Sequence, residues 1–546
     1  MTTQIGSASS FADFMDVLDA FLADQGHAWG LVATADGNGQ LESLSGAAAS
    51  VHESITVSML NALDYTVQGS VSGNLGYGVV GTPFTSGKAN FTVNSGSQSF
   101  IAGDHWTFST SPAWTLLRRA LLTDMTTDSG TTGATSFHCL NDGILDSSGF
   151  SDQWETTGGP PLEFIVELET AISAVEYAFV TTTDTNAPTA WTVDRWDGAA
   201  WVALDTRTGI TWAPSDIGNW RVFTISSPVS AARYRWRITA RIGDRTSIRQ
   251  FALRTVAGGL NRIEEVIAWQ APGDDDSRGF YCAVKPLYRA DRDYYTLELL
   301  AMSAWSATAE LVAQAGLHRN AYLPLWDAAM DYWLVARGSG VRGVIKIGTQ
   351  YESFSIGFID PYFPPNEYPL PLMLGGSLVR PLSNEDYRGK IDSENLRYSI
   401  ATRAHSAWPM AALPAGITAS SSTQRNQERG ACRLRLIDGT WRAMVCNADG
   451  DFATTGLWGS QLGFGSILPY YRGFQSTARS LADAPILWPV IVGTDQDVYG
   501  ELPGIRAVSG DGISAETIIT EAGVDWLVVP NISRVDFEDF YALRLD

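Results

Sequence analysis

Lysine, cysteine and histidine are all scarce in this chain of 546 residues. Its lysines are Lys88, Lys285, Lys346 and Lys390, so arginine supplies almost all of the positive charge. Four cysteines are too few for a disulfide scaffold. Cys139 and Cys282 are isolated, and Cys432 and Cys446 flank a hairpin. The six histidines (His27, His52, His105, His138, His318 and His405) form no His-x-x-x-His or His-Glu-x-x-His pair, and no Cys-x-x-Cys lies near them. A Gly-x-Ser-x-Gly elbow and a phosphate-cradling Gly-x-x-x-x-Gly-Lys-Ser/Thr loop are missing too. No catalytic, cofactor-binding or metal-binding residue is assigned on this basis. The expectation is a protein that is not an enzyme and carries no cofactor.

Positive charge is short as well: 37 basic residues face 59 acidic ones, a net of −22 with a pI near 4.6. Such a surface repels phosphate backbones, which argues against nucleic acid as a partner. No apolar run approaches the ~18–20 residues that span a bilayer, and the stretch Ala484–Val492 is broken by proline. The opening Met1-Thr-Thr-Gln-Ile-Gly6 lacks a basic region followed by an apolar one. The expected protein is therefore made in a cytoplasm and not inserted in a membrane.

What is abundant is core material. Hydrophobic residues reach 45%, with 19 tryptophans, 19 tyrosines and 22 phenylalanines. Arginine and aromatic side chains also anchor interfaces, which points to assembly. The length suggests three or four domains. One helix is clear: after Ser9 or Ser10, the residues Phe11, Phe14, Met15, Leu18, Phe21 and Leu22 recur at helical spacing. It is expected over about 9–24, packed against the sheet that follows it. Further helical stretches are expected at Trp114–Met125 and Ala307–Ala315. Elsewhere short period-two runs separated by Gly-rich turns mean antiparallel sheets. For the hairpin around Asp438-Gly439, a two-residue turn is favoured, placing Cys432 opposite Val445 and leaving both thiols unpaired with each other.

Residues 137–256 have the clearest internal pattern. Asn141-Asp-Gly143 opens it, then Trp154, Leu162-Glu-Phe-Ile-Val-Glu-Leu168 and Ala187-Pro-Thr-Ala-Trp191. Trp196-Asp-Gly-Ala-Ala-Trp201, Tyr234-Arg-Trp-Arg-Ile238 and Ile248–Leu253 follow. This set resembles the discoidin, or coagulation-factor type C, family. The resemblance implies a jelly-roll sandwich that binds glycans or lipid headgroups through loops at one end. The sugar-binding members' cluster of a histidine and two arginines has no residue-by-residue match here. Trp154, Trp191 and Trp201 are read as core.

The remainder resembles tailed-bacteriophage virion structural proteins. Asp331–Arg337, Gly343–Gly348, Tyr351-Glu-Ser, Gly357-Phe-Ile and Tyr368–Leu372 with Gly375-Gly-Ser377 carry the likeness. So do Tyr499–Gly504, Gly523–Val529, Tyr541–Leu545, and Gly69–Gly73 followed by Phe100–Asp104. The expected fold is mainly β and multidomain, with antiparallel β-sandwiches including the discoidin-like one, and an N-terminal amphipathic helix. The domains drawn are 1–136, 137–256 (an insertion), 257–400 (partly completing the first) and 401–546. The expected function is a structural component of a phage tail, baseplate or fibre-attachment region, presenting the sandwich to the host surface. Its partners would be other tail or baseplate proteins, further copies of itself (a trimer or hexamer) and a host surface glycan, and its place the virion tail. The alternatives are a receptor-binding adhesin for host polysaccharide and a polysaccharide depolymerase. The acidic groups Glu264-Glu265, Asp274–Asp276, Asp449/Asp451 and Asp495/Asp497 complete no catalytic or EF-hand pattern and read as solvated loops or opposite strand faces.

Overall fold

The computed structural model describes residues 2–120 (except 25 and 36), 122–127, 154–255, 266–275, 279–289, 294–376 (except 308 and 310), 432–446 (except 444), 485–493 (except 486), 498–508, 513–530 and 540–545. These residues are mainly β, in several antiparallel sheets with one α-helix among them. The domain boundaries drawn from the sequence, at 136/137, 256/257 and 400/401, lie outside the described residues, as do Glu264-Glu265, Asp276, Asp449, Asp451, Asp495 and Asp497.

The helix runs Phe11–Ala23. Ser10 caps it, its hydroxyl accepting from the Asp13 amide at 3.2 Å, while the Asp13 carboxylate accepts from the Ser9 amide at 2.7 Å. Its buried face is the set read from the periodicity: Phe11, Phe14, Met15, Leu18, Phe21 and Leu22. Its partner differs from the expectation. The helix packs mainly on strands drawn from residues 267–374, and of the strand that follows it only His27 is met, its ring 5.9 Å from that of Phe21.

Those strands belong to a three-layer core. Its middle layer is a seven-stranded sheet in the order Thr2–Ala8, Met330–Arg337, Gly340–Ile347, Gln350–Phe358, Leu372–Gly375, Cys432–Arg435, Trp441–Ala443. One face meets a five-stranded sheet (Thr115–Ala120, Val266–Ala271, Phe280–Arg289, Tyr294–Met302, His318–Leu325) and the helix. The other meets a C-terminal sheet built mainly from Leu487–Gly493, Val498–Val508, Phe540–Arg544 and Val524–Pro530. Covered on both sides, the middle strands are buried along almost their whole length rather than alternately.

Two excursions leave this core and return to it. The first starts at the end of the helix and closes where the Trp114 amide donates to the Leu22 carbonyl at 2.9 Å. Between them a five-stranded and a three-stranded sheet enclose a core that includes Tyr65, Phe91, Trp106 and Phe108. The second starts after Ala120 and ends before Val266, two residues paired directly with one another. Among its described residues nine strands form two facing sheets, ordered Leu122–Thr127, Leu162–Ser173, Ser230–Arg241, Pro188–Trp196, Trp201–Arg207 and Trp154–Thr156, Thr246–Arg254, Glu176–Thr181, Arg221–Thr224.

Three local expectations need correction. Trp114–Met125 is two strands, Thr115–Ala120 and Leu122–Thr127, because pairing with Val266–Ala271 and Leu162–Leu168 outweighs helix propensity. Among the described residues of Ala307–Ala315 the only helical element is the short 3-10 turn Leu311–Ala313. In the hairpin, Leu436 pairs with Thr440 around a three-residue loop whose Gly439 has φ +84°, so Arg435 faces Trp441 and Leu434 faces Arg442. Tertiary contacts choose this register: Leu434 joins the core between two layers, and Trp441 stacks on His318 at 4.8 Å. Cys432 then lies opposite Gly375 in the middle sheet, and Cys446 opposite Val492 in the C-terminal one.

Two predictions follow from this packing. Replacing residues 121–265 by a two-residue Asn-Gly turn joins directly paired strands, so the remainder is expected to stay soluble and unfold cooperatively; aggregation of the purified product would contradict the topology. His27 is fully buried and His318 largely so, and burial pulls each imidazole down to about 4. Each is then neutral when folded but charged when unfolded between pH ~6.5 and ~4, so stability falls as pH drops through that window, by up to about 3 kcal/mol per histidine. Urea midpoints across that range are expected to fall less steeply in His27→Leu.

Candidate functional site

The sandwich of residues 122–254 is held by side chains at alternate strand positions. Leu162, Phe164 and Val166 lie opposite Ile238, Trp236 and Tyr234 on its inner face, with Trp154 and Trp191 fully buried. Phe164 and Trp236 stack at 5.2 Å with rings 3° apart. One polar chain crosses the core: Trp191 Nε1 donates to Tyr177 Oη at 2.8 Å, and Tyr177 Oη donates to Asp205 Oδ2 at 2.6 Å. Asp205 also accepts from Arg207 Nε at 2.7 Å, which closes the chain on a cation. Burial, with Asp205 alongside, pushes the Tyr177 phenol well above its ordinary range, so it stays a donor at any physiological pH.

Register divides the sandwich into two ends. Leu122 pairs with Leu168, and Arg254 pairs with Glu176, so both connections to the core leave from the end that carries Ser173–Glu176. At that end Arg119 meets Asp16 and Asp19 of the helix and Glu169 of the sandwich, at 2.7 Å to Asp19 and to Glu169. The opposite end gathers the segments 157–161, 182–187, 208–219 and 242–245. This free end is the candidate site.

Arg241 organises it. Its Nη1 donates to the Gly158 carbonyl at 2.8 Å and its Nη2 to the Asp244 carbonyl at 2.5 Å, tying two segments together. The Ser247 amide donates to Asn186, and the Ile242 amide to Ala187, both at 3.0 Å. Gly243 is needed where it stands: its φ is +69°, and a Cβ there would lie 2.5 Å from the Thr185 carbonyl. Trp212 is covered by the Arg221 guanidinium at 4.7 Å and donates to the Pro188 carbonyl at 2.7 Å, so it serves the loop rather than a ligand. Solvent meets Thr157, Asp184, Thr185, Asp244 and part of Arg245, which pairs with Glu155 at 2.8 Å. The end thus offers hydroxyls, two carboxylates, backbone groups and one guanidinium. That mixture of donors and acceptors suits a hydroxyl-rich ligand.

A second polar surface covers the outer face of the five-stranded sheet. Trp201 lies here and not in the core, correcting the sequence reading. It pairs with Trp196 across the hairpin, and both rings lie under the Arg233 guanidinium, at 5.3 and 5.5 Å. Arg235 stacks on Trp201 at 4.8 Å and bonds Asp194 at 2.6 Å, while Arg237 bonds Glu163 at 2.8 Å. These cations are matched by carboxylates, so the face is built to be self-satisfied.

Among the described residues no group of three His, Cys, Asp or Glu side chains is placed to hold a metal ion. Asp274 is engaged otherwise, accepting from the Ser339 amide at 2.9 Å and its hydroxyl at 2.7 Å. His27, His52, His105 and His318 lie on separate elements, and His138 and His405 lie outside the described residues. The free end was invisible as a site in the sequence because its residues come from four separated turns. Its one legible signal was Gly243 beside Asp244, a turn pair.

No family model and no curated protein matches this chain. Among solved structures it is similar to carbohydrate-binding modules of family 32. The first module of a family 31 glycoside hydrolase from Clostridium perfringens is 16% identical, over 24% of this chain and 94% of that one, with a TM-score of 0.21. The C. perfringens NanJ module in complex with galactose is 14% identical, over 24% and 98%, TM-score 0.21. The module from Streptococcus pneumoniae EndoD is 13% identical, over 26% and 100%, TM-score 0.21.

Arg241→Ala is expected to free the segments at 157–158 and 244, costing about 1–3 kcal/mol in unfolding stability. Amide hydrogen exchange at these residues should accelerate while exchange at 164–168 stays protected.

Proposed function

We propose that this chain is a structural component of a bacteriophage tail, baseplate or fibre-attachment region, and that its sandwich presents a glycan-binding end to the host surface. The observation that carries this reading is the position of the connections. Both lie at one end of the sandwich, on strands that are neighbours in the core, and the polar loops collect at the other end. A module attached in this way points its loops away from the body that bears it.

Two further observations support it. The segments that resemble virion proteins fall on facing layers of one core: Asp331–Arg337 and Gly343–Gly348 in the middle sheet, Gly523–Val529 and Tyr541–Leu545 in the sheet against it. In the first excursion the edge strand Gly73–Val79 leaves Tyr77 71% and Val79 47% exposed. An unpaired edge with apolar side chains is a natural docking surface for a neighbouring subunit. The proposed assembly is a trimer or hexamer closed around the tail axis, contacting other tail or baseplate proteins. A weak glycan contact repeated around that axis gains strength from effective concentration.

Mass photometry of the isolated chain, combined with reconstruction of particles labelled at residue 546, tests the reading. A symmetric ring of three or six copies is expected, with the free end of the sandwich facing outward. A single copy touching no other, or absence from particles, overturns it.

A further inference from the structure

The interface between the middle sheet and the C-terminal sheet is apolar through most of its extent, with Trp333, Val335, Val344, Leu502, Ile505 and Val529 among its residues. Arg342 interrupts it. In the strand Gly340–Ile347 it lies opposite Val335 on one side and Ser355 on the other. Paired residues share a face, so the Arg342 side chain enters the interface beside Val335. It is 1% exposed, and its Nε and Nη1 have no hydrogen-bond partner among the described residues. The Ser355 hydroxyl, equally buried, has none either.

The neighbouring side chains do not satisfy this donor set. The next positions along the same face are Gly340 and Gly357, which bring no side chain; a Cβ on Gly340 would stand 3.8 Å from Arg342 Nη2. Opposite Gly340 is Arg337, whose guanidinium is bound to Asp360 at 2.9 Å and lies 3.5 Å from Asp274. Asp274 is further committed to Ser339. The two carboxylates of the cluster are therefore held at Arg337. Burial, with Arg337 alongside, lowers the Arg342 guanidinium to about 9, which leaves it cationic at neutral pH.

We propose that Arg342 and Ser355, paired across neighbouring strands, form an internal site for a tetrahedral oxyanion, phosphate or sulfate. An oxyanion brings several acceptors and no obligatory donor, as this cation and hydroxyl require, whereas a water accepts only two bonds. Bound there, it joins the middle strands to the layer against them. This site is independent of the glycan-binding reading.

Equilibrium dialysis of the full chain against labelled inorganic phosphate, in chloride at constant ionic strength with sulfate as competitor, tests the proposal. One phosphate per chain is expected, displaced by sulfate if the site reads tetrahedral charge alone and retained if it prefers phosphate. Either outcome supports the site. Arg342→Met is expected to weaken binding at least about tenfold. The same variant should unfold in chloride at an equal or higher temperature, because a buried cation without a partner is gone. No saturable binding by the unaltered chain overturns the proposal, as does binding by Arg342→Met within about twofold of it, the mark of an adventitious ion only. If Arg342→Met fails to fold, Ser355→Ala decides: unchanged affinity overturns the proposal and a loss sustains it.

Discussion

The pairing of Thr115–Ala120 with Val266–Ala271 is the constraint on which the remaining architecture depends. It closes the five-stranded sheet across a long excursion, and that closure is less costly than it looks. Loop-closure entropy grows only with the logarithm of length, so each doubling adds about 0.6 kcal/mol. A sandwich with its own aromatic core supplies its own stability and asks of the core only that its two connections meet. The same short strand also serves the other layers. Trp114, just before it, donates through Nε1 to the Arg337 carbonyl of the middle sheet at 3.2 Å and packs on Phe280 at 5.6 Å. Arg119, near its end, reaches both the helix and the sandwich.

The second constraint is a middle sheet without a solvent face. Burying both sides requires two covers, and the chain draws them from distant places: the helix and residues 266–325 on one side, the C-terminal strands on the other. Such a sheet gains hydrophobic stabilisation on two faces, at roughly 25 cal/mol per Å² of apolar surface. It also has nowhere to hide a charge. Arg342, Glu352 and Arg433 are nevertheless buried on its strands, and Arg342 stands out among them because its Nε and Nη1 have no hydrogen-bond partner among the described residues.

How far the sequence reveals this structure depends on whether the deciding interaction is local. The helix, its cap and its six buried residues were legible because periodicity and capping act within a few turns. The strands at 164–168 and 234–238 were legible because they alternate, one face in the sandwich core and one in water. The residues Thr115–Thr127 misled because leucine, arginine and alanine favour a helix, and only pairing with strands far along the chain overrules them. The hairpin at Gly439 shows the same lesson on a smaller scale. Either turn length satisfies an Asp-Gly pair, and the choice falls to contacts of Leu434 and Trp441 with other segments. The helix's partner and the free end of the sandwich were beyond reading, since both are assembled from residues that topology alone brings together.

The Arg119 cluster links these levels. One guanidinium, a fifth exposed, meets three carboxylates, two from the helix and one from the sandwich, while Asp19 also accepts from Trp269 Nε1 at 2.9 Å. Glu169 beside it is held below the usual carboxylate range, chiefly by its hydrogen bond to Arg119. An arginine suits this position better than a lysine because its planar donors reach several acceptors at once. The charges do not balance, with three anions on one cation, so the bonds to Arg119 hold together groups that would otherwise repel. The cluster therefore gives the base of the sandwich a preferred orientation in addition to the two strand connections. Orientation is what repeated weak binding needs. In the proposed role, each copy's loops must face the same surface together, and every degree of freedom removed at the base raises the effective concentration at the tip.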